Sequence, residues 1–366
     1  MLFNEIKQKS LKVTDVDVSR KLWLDVARGI AIILVVIGHS IQYNVSDFDN
    51  SFVFRSIYSF HMPLFMFISG IGESLSLQKK QTLCVMKEVK NKFYSLFIPF
   101  VAWIFAPYIL FTHTFPLSEV YEKILKILKS PDNGYWFLYV LFIIYCLFFL
   151  IHQIKIKTKI PYAILTLLFY YFLRIVIHYL KFYYFGIGSV IHHFLFFMAG
   201  FICYGIHRKY YSEKLKTIEY GILLLLTIFF ICLVRFWFRI SEPSFMEYDF
   251  FQRGGDLCNI LRWTYLTFIP YCGIAFTFLV SLILSNSVTI SAILSKLGRL
   301  TLEIYVLHSF GLGFITKFGN GTLGIIMNIF FAFVFSIAII YSLKGCFLSK
   351  ILFGKFNLKN KKELNE

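Results

Sequence analysis

Residues 24–44 read LDVARGIAIILVVIGHSIQYN, an apolar stretch that carries Asp25, Arg28 and His39. About 20 such residues cross a hydrocarbon core of about 30 Å as a helix, the form in which a single segment satisfies its own backbone amides there. A chain built from segments of this kind is an all-α, polytopic membrane protein. An ionisable side chain at membrane depth costs several kcal/mol by order of magnitude, so it is rare unless it faces a polar cavity. Arg28 and His39 are eleven residues apart. At about 100° per residue they return to nearly the same helix face, about 16 Å apart along the axis. One stripe therefore presents a guanidinium at one depth and an imidazole at another, the outline of a membrane-embedded site.

Apolar runs recur along all 366 residues, and the chain is 58% hydrophobic. Only 16% of residues are charged, against about a quarter in soluble domains. Ten transmembrane helices are expected, at roughly 24–44, 54–76, 93–112, 135–152, 160–178, 187–205, 218–238, 263–284, 303–316 and 323–343. The formal net charge is +17. Its Lys and Arg gather in alternate inter-span segments, a topology signal that puts the N-terminus and the C-terminus in the cytoplasm. That distribution argues against a nucleic-acid partner and for a lipid bilayer with anionic headgroups. The expected organisation is a cytoplasmic segment 1–23, a transmembrane domain 24–343 and a basic, solvated cytoplasmic tail 344–366. SEVYEKILKILKS within 113–134 has the apolar spacing of a short interfacial helix. The seven Cys show no metal-ligand spacing, and no metal is expected.

Counting depth along each span separates the polar residues into two groups. His39, His61, Arg174, His178, His192, His193, Arg235, Tyr135 and Trp136 fall in the outer half, an imidazole-rich cluster opening outward. Asp25, Arg28, Lys92, Glu303 and His308 fall toward the cytoplasmic side. A basic mouth there suits a phosphorylated donor, because a guanidinium gives phosphate two parallel hydrogen bonds. Structural readings stand beside these. Asp25 and Arg28 have the spacing of an intrahelical pair, His61 precedes Pro63 and could cap a kink, and His192 and His193 suit an interface.

RKLWLDVARGIAIILVVIGHS followed by FHMPLFMFISG resembles the opening of the membrane acyltransferase 3 family. The branch it is most similar to is the fucose 4-O-acetylase-like, nodulation-type sugar O-acetyltransferases. The family's first-helix Arg and His, separated by ten residues, are met here by Arg28 and His39. GYWFLYVLF at 134–142 and LGRLTLEIYVLHS at 297–309 resemble later family segments. Where many members carry an Arg pair before a proline, this chain has Lys90 and Lys92.

The resemblance implies a multi-pass enzyme of a bacterial cell membrane that moves an acyl group from acyl-CoA to a carbohydrate hydroxyl. The donor implied is usually acetyl-CoA, and the acceptor a cell-surface or lipid-linked polysaccharide. On that reading His39 is the general base, or the carrier of a transient acyl group. Arg28 orients the donor, and His61 positions the acceptor or assists His39. Arg28, Asp25, Lys92 and His308 form the donor site; Arg174, His178 and Trp136 form the acceptor site. The rival expectation is a transporter or flippase of lipid-linked sugars that needs no CoA.

Overall fold

The computed structural model describes residues 22–78, 84–107, 121–122, 125–126, 135–181, 184–210, 217–247, 254–313 and 321–355. Among them the chain is helical, with no strand. The helices are α1 (Leu22–Asn44), α2 (Phe52–Tyr58), α3 (His61–Gln78), α4 (Val85–Lys92), α5 (Ile98–Pro107), α6 (Trp136–Thr158) and α7 (Tyr162–Leu180). They continue as α8 (Ile187–Tyr210), α9 (Thr217–Leu233), α10 (Asp256–Leu284), α11 (Val288–Arg299), α12 (Thr301–Gly313), α13 (Thr322–Ser342) and α14 (Phe347–Phe353). Eight stretches are long and apolar enough to cross a membrane, α2 and α3 counting as one. The spans expected at 93–112 and 303–316 correspond to α4–α5, joined by a π turn at Phe93–Phe97, and to the 13-residue α12; residues 108–112 and 314–316 lie outside the described residues. So do most of the 113–134 segment and residues 1–21.

α1 is the centre of the bundle. It packs against α3, α10, α11, α12 and α13, and 67% of its most apolar window is buried, against 17% for α7 and for α9. The outer helices present Leu, Ile and Phe to the surroundings, as lipid-facing helices do. Lipid gives apolar side chains no reason to prefer a neighbouring helix, so close backbone packing decides which helices pair. Two pairs show it. Gly29 of α1 lies against the Leu294 carbonyl of α11, and Gly298 of α11 against the Asp25 carbonyl, leaving no room for a side chain at either. Gly70 of α3 and Gly200 of α8 meet the Phe197 and Phe67 carbonyls in the same reciprocal way.

Two sequence expectations are corrected by this packing. The segment 285–302, read as a connection between spans, folds as α11 and lies along α1. Part of the expected tail packs on the bundle. α14 docks on α5, the Trp103 indole donates to the Leu352 carbonyl at 2.8 Å, and Leu352 and Phe353 are buried. Lys355 then closes an ion pair with Glu303. Residues 356–366, which include KNKKELNE, lie outside the described residues.

Candidate functional site

His39 comes four turns along α1, where the helix leaves its crossing with α11 and meets α2. α2 and α3 are separated only by Ser59 and Phe60, so Tyr58 and His61 reach the same space from either side of the turn. The Tyr58 hydroxyl donates to Gln42 Oε1 at 3.0 Å and lies 3.2 Å from His39 Nδ1. When the phenol proton is given to Gln42, the phenol oxygen accepts from a His39 ring protonated on Nδ1, the tautomer that leaves the lone pair on Nε2. Gln42 lies one turn beyond His39 and Tyr58 one turn before His61, so both sit on the faces that carry the imidazoles.

Three further histidines share one anchoring pattern. His61 Nδ1 donates to the Ile57 carbonyl at 3.0 Å, and His193 Nδ1 to the Ser189 carbonyl at 2.8 Å. His308 Nδ1 lies 2.7 Å from the Tyr305 carbonyl and 3.2 Å from that of Ile304. Each ring thus spends its N–H on a backbone carbonyl three or four residues earlier and keeps Nε2 for another partner. The His308 ring lies 5.2 Å from that of His39, and the His61 ring 4.6 Å from that of Tyr58. Trp136 lies 5.1 Å from His193.

These groups surround a cavity of about 990 Å³ whose walls include His39, Tyr58, His61, Trp136, His192, His193 and Tyr305. The segment 237–243 forms part of its wall. Asp49 accepts the backbone N–H groups of Arg239 and Ile240 at 2.9 and 3.1 Å, and Arg55 donates to the Arg235 carbonyl at 3.0 Å. The Arg239 guanidinium stacks 4.8 Å over the Tyr58 ring. Arg262 and Glu242, also in the cavity wall, form a two-point ion pair. Among the described residues no three His, Cys, Asp or Glu side chains converge as a metal site.

The expected outer cluster is brought together in part. His39, His61, Trp136, His192 and His193 line the cavity, whereas Arg174 and His178 line an adjacent groove that shares His192. Arg235 lies over Phe236, outside the cavity wall. His308, counted by depth with Arg28, has its ring 5.2 Å from that of His39.

At the Leu22 end, Asp25 is 1% exposed and accepts Arg28 at 3.0 Å, with Arg299 at 3.6 Å. Gly72 makes room for the Arg28 guanidinium, since a Cβ there would stand 3.2 Å from Nη2. Lys92 pairs with the buried Glu73 at 3.1 Å and lies 3.6 Å over the Tyr145 ring. Arg28 is not among the cavity's wall residues; Val35, one turn before His39, lines the cavity, and the fully buried Ile32 fills the stripe between Val35 and Arg28.

The acyltransferase domain family matches residues 21–345. The nodulation protein NolL of Mesorhizobium japonicum is 34% identical over 134 residues, 35% of this chain and 35% of that protein. NolL of Sinorhizobium fredii is 35% identical over 129 residues, 33% of this chain and 34% of that protein. The aligned part spans about a third of the length of these curated relatives. No solved structure matches the chain.

Proposed function

The chain belongs to the acyltransferase 3 family, and from that membership we propose that it moves an acyl group, acetyl in the first instance, from acyl-CoA to a carbohydrate hydroxyl at a bacterial cell membrane. The observation that carries the reading is His39: an imidazole anchored through Nδ1 on the Tyr58–Gln42 pair, with Nε2 left for a cavity that admits a sugar. The acceptor oxygen attacks the thioester carbonyl while His39 Nε2 takes its proton. The C–S bond breaks, the new ester forms, and the proton passes to the departing thiolate to give free CoA. His39 ends neutral, ready for another turnover.

His61 and Trp136 position the acceptor from the opposite wall, and His308 backs His39. The donor's phosphates are assigned to the Leu22 end, where Arg28 and Lys92 would exchange a carboxylate for a phosphate. Its pantetheine arm runs along the Arg28–His39 stripe and has to displace Ile32 and Val35 to deliver the thioester.

Membranes holding equal amounts of wild-type and His39→Ala protein, given radiolabelled acetyl-CoA and extracted glycan, test this. General acid–base catalysis is worth about 10²–10⁴-fold, and a loss of that size is expected in His39→Ala. Undiminished transfer would rule His39 out as the base.

A further inference from the structure

The groove beside the main cavity runs between α7, α8 and α10, encloses about 390 Å³, and is lined by Tyr170, Arg174, His178, His192 and Trp263 among others. Arg174 stands on α7, among the exposed apolar side chains Tyr171, Phe172 and Ile175, on a helix whose window is only 17% buried. Among the described residues it has no hydrogen bond, ion pair or ring partner. That sets it apart from Arg28, Arg262 and Lys92, each of which meets a carboxylate. A guanidinium among lipid-facing side chains, with no carboxylate beside it among the described residues, suits an anion that reaches it from the bilayer. Its planar fork matches the two oxygens of a phosphate. His192 lines this groove and the His39 cavity alike, so one molecule could extend from lipid past His192 toward the reacting nitrogen.

We propose that this groove is a lateral entrance for the acceptor, and that the acceptor is borne on a lipid phosphate. The phosphate pairs with Arg174, the hydrocarbon chain lies along the exposed face of α7, and the sugar passes His192 toward His39. The identity of the cargo rests on the acyl-transfer reading; the phosphate site does not.

Full-length protein in phosphatidylcholine nanodiscs, photo-crosslinked with a diazirine-bearing long-chain alkyl phosphate, tests the site. Crosslinks are expected on α7, α8 and α10 around Tyr170 and Trp263, competed by unlabelled alkyl phosphate. Losing one partner of a charge-assisted contact should cut the yield about tenfold in Arg174→Gln, with only part of it recovered in Arg174→Lys, which keeps the charge but not the planar fork. Undiminished crosslinking in Arg174→Gln would overturn the proposal. So would equal competition by phosphatidylglycerol, which means a bulk anionic-lipid site, or by inorganic phosphate, which means a free-anion site.

The cargo is read in membranes given radiolabelled acetyl-CoA. Label is expected in organic-extractable glycolipid for wild type, and about tenfold less for Arg174→Gln. Label confined to aqueous polymer would overturn the lateral route. His39→Ala separates the two claims, because it should crosslink like wild type while transferring nothing. A wild type that crosslinks but transfers no acetyl would sink the enzymatic reading and leave the phosphate site standing.

Discussion

At the Leu22 end of α1, Asp25 holds Arg28 and Arg299, Glu73 holds Lys92, and Glu303 holds Lys355. At the Asn44 end, His39 is held by a phenol, and His61, His193 and His308 by backbone carbonyls. The first arrangement satisfies charge with charge: each cation has a carboxylate beside it, and the contacts tie α1, α3, α11 and α12 to their neighbours. The second satisfies only one nitrogen per ring. An acceptor behind the ring fixes the tautomer and orientation without consuming the second nitrogen, so the reactive lone pair stays available. Ionisable groups thus give a brace at one end and an open set of bases at the other.

Three substitutions test that contrast. Gly298→Leu should act on both ends at once, since its side chain would strike the Asp25 carbonyl and push α11 and α12 away from α1. Overpacking costs about 1–3 kcal/mol even where neighbours yield, and here the neighbour is backbone. Loss of the folded species by size-exclusion chromatography, together with acyl transfer, is expected; a folded, active variant would mean the crossing is not needed.

Tyr58→Phe should touch only the Asn44 end. Losing one neutral hydrogen bond behind His39 is worth about 1 kcal/mol, so kcat should fall about fivefold. The KM for acetyl-CoA and the melting temperature should stay put, and a change in KM alone would place Tyr58 in donor binding.

Asp25→Asn should do the reverse. It leaves Arg28 and Arg299 without their shared carboxylate, and because both are part exposed the cost is about 1–2 kcal/mol, not the full value for a buried pair. A lower melting temperature with kcat nearly unchanged would fit a brace. A large drop in kcat with an unchanged melting temperature would move Asp25 into the chemistry.

Helical periodicity was enough to put Arg28 and His39 on one face, and depth was enough to put His39, His61, Trp136 and the His192–His193 pair at one level. Both are properties of single helices. What faces what across a bundle is set by helix pairing, and here pairing is decided by glycines such as Gly29 and Gly298, whose significance appears only when the opposing carbonyl is known. For that reason the approach of His308 to His39, the pairing of Lys92 with Glu73 and the packing of 285–302 as α11 were all invisible. Tyr58 and Gln42 left a fainter trace, each one turn from a histidine on an already suspected face. The segment 237–243 left none, because its attachment depends on Asp49, 190 residues from Arg239.

The central claim is that His39 is a neutral imidazole carrying its proton on Nδ1 and offering Nε2 to the cavity. Nitrogen-15 solid-state NMR of histidine-labelled protein in bilayers near neutral pH reads this directly, with His39→Gln identifying the resonance. The account predicts a protonated Nδ1 beside a bare Nε2. A proton on Nε2, or on both nitrogens, would contradict it, because no lone pair would then be available to take the acceptor's proton.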